Sequence, residues 1–281
     1  MWTRFFIAPV AAATVLAASP DLLVPQLESK TLAAFDRYVT ATETRIATEV
    51  DGSKPFLWVN RLDAAAKADA MARLNRGEVV SAPLETWANG KKITADEGLI
   101  HHWIGTVLLP KVSLTQARAL VEKYEQYPRV LGPMVQRAKV IEHTGNDFVV
   151  QMRTTMKKVI TVVIDADYRV TYRPVGASRL YTKSVATNLF EVSDAGEPGE
   201  SRTPGDKSGG FLWRLNTYCS FEAIQEGTLE QCESVSLTRG VPWWAYFAKP
   251  FVTSIPRETL AFTLGRVRDE AVKSLKTAET R

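Results

Sequence analysis

The sequence predicts an α+β fold: a curved antiparallel sheet wrapped around a long C-terminal helix, preceded by a helical leader. Three observations carry this. From Val135 to Arg239 the chain reads as strand after strand, broken by short turns. After Ile255-Pro256, Leu260, Leu264, Val267 and Ala271 recur at three- and four-residue steps, which is one buried stripe of a helix. Before Gly77, two helical patterns follow one another without a strand between them.

In order, the first segment is a targeting signal. Arg4 supplies a short basic start, the run Phe5–Leu16 is apolar, and Val15-Leu16-Ala17 fits a small-x-small cleavage site. The run is shorter than the roughly 20 residues that span a bilayer. Residues 1–18 are therefore expected to be a cleaved export signal, giving a periplasmic or extracellular protein; left uncleaved, the segment is a membrane anchor. The leader, 22–77, holds two helices. One runs from Pro25 to Val50 with Leu27, Leu32, Phe35, Tyr38, Val39, Thr42 and Ile46 on one face, and the other from Leu62 to Arg76, stopped by Gly77. Such a leader either packs on the main domain or offers a partner surface.

The main domain spans 78–275. Glu78–Ala88 reads as a strand, Asn89-Gly90 as a tight turn, and Ile93–Pro110 as the next strand. Ser113-Leu114-Thr115-Gln116 is a capping box opening a helix. Tyr127-Pro128 and Gly132-Pro133 break it into a short second piece. Strands follow at Val135–His143, Asp147–Lys157, Val159–Arg173, Arg179–Val192, Phe211–Ile224 and Thr228–Arg239. Ser193–Gly210, rich in Gly, Pro, Ser and charge, is an exposed loop. The last helix runs from Arg257 to Leu275, with Pro256 in its first turn.

Composition sets limits on function. Of 281 residues, 45% are hydrophobic and 23% charged, which belongs to a folded chain and not a disordered one. The net charge of +4 is scattered, with no basic run interleaved with aromatics, so no nucleic-acid partner is expected. No Cys/His spacing suits a metal and no glycine-rich loop suits a phosphate, so neither metal nor cofactor is expected. The two cysteines, Cys219 and Cys232, flank the turn Gln225-Glu226-Gly227. An exported chain permits a disulfide between them, the alternative being two buried thiols.

The order strand, helix, short helix, six strands and long helix resembles the helix-grip (SRPBCC) superfamily, which includes START lipid-binding domains and polyketide cyclases. An exported bacterial branch carries strands like Ile100-His101-His102-Trp103-Ile104-Gly105, Trp213-Arg214-Leu215-Asn216-Thr217-Tyr218 and Glu233–Arg239. The resemblance covers roughly residues 99–275. It implies a hollow between the sheet and the last helix, and hence a binder or carrier of an apolar small molecule or lipid. Strand alternation offers His102, Arg214, Asn216, Tyr218 and Glu233 to the polar end of such a ligand, with Leu260, Leu264 and Val267 from the helix. The competing assignment puts that polar face outward in solvent. Two other functions stand beside the carrier. One is a cyclase or hydratase using Tyr218, His102 or Glu233 as acid or base; the other is an interaction protein working through its leader. The aromatic segment containing Trp243, Trp244, Tyr246 and Phe247 suits either peripheral membrane contact or packing at the sheet rim.

Overall fold

The structure, a computed structural model, describes residues 27–157, 161–207, 210–240 and 249–279, with side chains of the last segment described from 254 to 277. The export signal and the aromatic segment Trp243–Phe247 lie outside the described residues. The leader is helix α1 (Ser29–Val50), a 3-10 turn at Trp58–Arg61 and helix α2 (Ala64–Asn75). Thr31, Phe35, Tyr38, Thr42, Ile46 and Glu49 form the buried stripe of α1. Asp63 caps α2 by accepting the Ala66 N–H at 2.8 Å, and Gly77 ends it at φ +86°, where a side chain would be strained.

Eleven strands follow, β1 (Val80–Pro83), β2 (Trp87–Ala88), β3 (Lys91–Lys92), β4 (Gly98–Pro110), β5 (Val135–Thr144), β6 (Asp147–Lys157), β7 (Thr161–Val175), β8 (Arg179–Ser193), β9 (Ser201–Pro204), β10 (Leu212–Ile224) and β11 (Gly227–Arg239). Between β4 and β5 lie α3 (Leu114–Val121) and α4 (Tyr127–Val130). The capping box at Ser113 and Gln116 is formed. The long helix is α5 (Lys249–Glu279).

The main sheet is antiparallel in the order β1-β4-β11-β10-β8-β7-β6-β5, with β9 paired to β8. Register shifts in β5–β6, β7–β8 and β10–β11 supply local bends. Four expectations are corrected. Glu78–Ala88 is two strands: β1 ends at Pro83, with Leu84 still donating its N–H to the His102 carbonyl at 2.9 Å, and β2 pairs instead with β3 across Asn89 (φ 50°) and Gly90 (φ 73°). The strand expected from Ile93 starts only at Gly98, after Glu97 turns at φ 57°. The loop 193–210 contains β9, and Glu200 beside it holds Arg153 at 2.7 Å. Pro256 lies inside α5 and Pro250 in its first turn; proline already has a helical φ, and the helix loses one backbone bond there.

The sheet has two covered faces. On the inner face, Leu260, Leu264, Val267 and Ala271 of α5 pack with Ala117 and Val121 of α3 and with Val107, Phe148, Val150, Tyr168, Tyr172 and Phe221. On the outer face, Phe35, Tyr38, Ile46, Leu57 and Leu74 of the leader pack with Trp213, Tyr218, Val235 and Leu237. The leader is thus a third layer, and the sheet lies between it and α5.

Candidate ligand site

Strand register decides which side chains meet a ligand. Ile104 pairs with Glu233, His102 with Val235, Asn216 with Val235 and Tyr218 with Glu233, so all of these share one face. Arg214, paired to Leu237, belongs to it too. That face is the outer one. His102, Asn216, Tyr218 and Glu233 therefore stand under the leader, neither in the hollow beside α5 nor in solvent, and the expectation that they meet a ligand beside α5 is corrected.

There they form a buried polar network. Tyr38 Oη lies 2.8 Å from His102 Nδ1, and His102 Nε2 lies 2.6 Å from Glu233 Oε1. Arg45 donates to both Glu233 and Glu49, and Arg61 to Glu49. Burial would raise the Glu233 carboxyl, but His102 and Arg45 more than offset it and hold it below the ordinary range. Farther along, Tyr218 donates to Glu43 at 2.8 Å and accepts from Asn216 at 3.1 Å. Every charge has a partner, as buried charges require. The arrangement fastens α1 to the sheet.

The inner face is built from the opposite parity. A Cβ on Gly105 would come within 2.9 Å of Leu264 and 3.3 Å of Leu260, which places α5 directly over β4. Leu260, Leu264 and Val267 face the sheet and are buried. Lateral rows run across this face. The row Gly105–Cys232–Cys219–Thr182–Tyr172 begins under Leu260 and Leu264 in the middle of α5, and the two cysteines are joined as a disulfide. The next row toward the start of α5 is Trp103–Ser234–Thr217–Ser184. All four members of that row are only half-buried, although they sit in the middle of the sheet and on its covered face. Leu215, Met152 and Met156 are half-buried around them. This half-buried patch, with its row of hydroxyls and the apolar side chains around it, is the candidate ligand site, and Arg257 of α5 stands beside its Trp103 end.

Two buried titratable groups share this face, His101 one row from Trp103 and Glu230 two rows away on the other side, beyond Gly105 and Cys232. His101 hydrogen-bonds Thr238 Oγ1 at 2.8 Å, and burial pushes it down to about 4, so it is neutral. Glu230, between Val107 and Phe221, is 3% exposed; its Oε2 has no hydrogen-bond partner, and burial pushes its carboxyl up to about 8. The signal that could have found this face was the cysteines. A bridged pair opposite each other fixes their parity, and Glu230, Ser234 and Ser236 share it with Cys232. A separate surface cleft of about 510 Å³ opens between α3 and the β7–β8 turn. Its arginines are already engaged, Arg118 with Glu122 and Arg179 with Glu222.

Among the described residues no group of three or more His, Cys, Asp or Glu side chains could hold a metal, and no helix is long and apolar enough to cross a membrane. No family model and no curated protein matches the chain. Solved structures do. A STAR-related lipid transfer protein from Xanthomonas axonopodis shares 14% identity, over 67% of this chain and 98% of its own, at a TM-score of 0.42. The Zhui aromatase/cyclase from a Streptomyces species shares 11% identity, over 64% of this chain and 98% of its own, at 0.44. A START superfamily protein from Mycobacterium smegmatis shares 11%, over 70% of this chain and 99% of its own, at 0.39. Lipid transfer and cyclisation are said of those proteins. This chain's own topology, an antiparallel sheet with the C-terminal helix seated on its inner face, is that of a helix-grip fold.

Proposed function

We propose that this chain is an exported binding or carrier protein for an apolar small molecule or lipid, held between the sheet and α5. The supporting observation is the half-buried centre of the inner face beneath the first half of α5, in a molecule whose outer face is closely covered. An apolar hollow with a few placed polar groups is the usual form of a small-molecule site. Export draws on Arg4 and the apolar run after it, and a Cys219–Cys232 bridge suits an oxidising compartment. Peripheral membrane contact through Trp243, Trp244, Tyr246 and Phe247 would place the donor or acceptor surface next to α5. For the cyclase or hydratase reading, Tyr218, His102 and Glu233 stand beneath the leader, so its acid or base would have to come from inner-face groups such as His101 or Glu230. The interaction reading needs a free leader face, whereas the apolar stripe of α1 is covered by the sheet.

The test is mass spectrometry of organic extract from protein made in the periplasm and purified without detergent. An apolar compound in near-stoichiometric amount is expected; bare protein that takes up nothing from a lipid extract would defeat the reading. N-terminal sequencing of the same material should start near Ala18, and an intact Met1 in the membrane fraction would mean an anchor.

A further inference from the structure

We infer that Ser184, Thr217 and Ser234 form a specificity-determining row that selects an uncharged ligand carrying hydroxyl or carbonyl oxygens along one edge, in preference to an anionic acyl chain. The inference rests on the hollow being the binding site. The three residues are in register on β8, β10 and β11: Thr217 faces Ser184 on one side and Ser234 on the other. Neighbouring strands lie about 4.8 Å apart, so the hydroxyls repeat at that interval and span about 10 Å. Among the described residues none of the three hydroxyls has a hydrogen-bond partner, and none is fully buried. Each can donate and accept, which suits ligand hydroxyls and carbonyls alike. Trp103 closes one end of the row with a half-buried aromatic ring.

The electrical character of the surroundings decides between ligand classes. Apart from Glu230 and His101, the inner-facing positions of β4, β6, β7, β10 and β11 are uncharged, and those two groups are neutral near pH 7. Among the described residues, the charges placed by contact near the row stand at its edges. Arg257 stands 5.9 Å from the centre of the Trp103 ring and is exposed. Glu191 accepts the Phe211 N–H at 2.8 Å and faces the positive field of Arg239. A carboxylate carried to the centre of the row would meet no cation among the described inner-facing strand residues, and an unpaired buried charge is strongly disfavoured. A neutral oxygen would meet a hydroxyl. A site built to hydrogen-bond a ligand oxygen also rejects analogues lacking it, because its own polar groups are then left unpaired.

The experiment is isothermal calorimetry on delipidated full chain with two probes, the neutral steroid diol oestradiol and the anion palmitate. Three proteins are compared: wild type, the triple variant Ser184→Ala/Thr217→Val/Ser234→Ala, and Thr217→Phe, each checked for a native melting transition. Wild type should bind oestradiol at least tenfold more tightly than palmitate, and the triple variant should lose at least tenfold for oestradiol alone. Palmitate binding as tight as oestradiol, no oestradiol binding, or an unchanged triple variant would each overturn the row. If either probe binds but Thr217→Phe binds it as well as wild type, the hollow itself is not the site, and the functional proposal falls with it.

Discussion

A carboxyl buried without a partner is costly when ionised, so Glu230 keeps its proton at neutral pH. The sign of the linkage follows. The folded value, about 8, lies above the ordinary 4.5, so the folded state holds the proton more tightly than the unfolded chain. The stability it contributes is full below pH 4.5 and is lost as pH rises to about 8, at up to about 1.4 kcal/mol per pH unit. His101 acts oppositely, since its depressed value favours the folded state as pH rises from about 4 to 6.5. The two partly cancel below 6.5 and the Glu230 loss stands alone above it. Urea unfolding between pH 6.5 and 8.5 should therefore show falling stability in wild type and a flat profile in Glu230→Gln. Parallel profiles would mean that Glu230 has found a partner. On the opposite face, Glu233 is 2% exposed and paired to His102 and Arg45. Glu233→Gln leaves the pair half-broken, and a loss of about 3 kcal/mol is expected by denaturant titration at pH 7. A loss under about 1 kcal/mol would show that the network does not fasten the leader.

At the scale of elements, α5 is held by one stripe. Leu264 is fully buried against Gly105, so Leu264→Ala removes apolar contact and leaves a cavity, for a loss of about 2–5 kcal/mol. Arg266 is exposed and contributes one bond, from Nε to the Val130 carbonyl at 2.9 Å. Arg266→Ala should cost about 1 kcal/mol. Thermal midpoints of the two variants check this, and equal small shifts would show that α5 is not gripped. The stripe was legible in the sequence because four apolar residues repeat at helical spacing with polar residues between them. The long strands were legible because turn residues bound them. Where reading by pattern stopped short, backbone geometry had intervened: Asn89 and Gly90 turned β2 onto β3, Glu97 turned at positive φ, and β9 formed in a polar segment because β8 offered it an edge.

At the scale of the molecule, the sheet is covered twice, and this governs which face binds. Both faces of β4, β10 and β11 alternate between apolar and polar residues, so neither declares itself inner from pattern alone. His102, Tyr218 and Glu233 looked like ligand groups because they are polar and interleaved with apolar neighbours. Their true partners, Tyr38, Glu43 and Arg45, lie 64, 175 and 188 residues away in the leader, and no local signal reports such pairing. The hydroxyl row escaped notice because serine and threonine on a strand ordinarily face water.

The central claim is that space remains between the first half of α5 and the sheet, and that a ligand fills it. Thr217→Phe measures that space directly. In a packed core the added ring would force strain of about 1–3 kcal/mol. In an open hollow it should leave unfolding free energy within about 0.5 kcal/mol of wild type in delipidated protein, while abolishing the small molecule seen by native mass spectrometry. Loss of 2 kcal/mol or more by Thr217→Phe, in a wild type that carries no bound compound, would contradict the account.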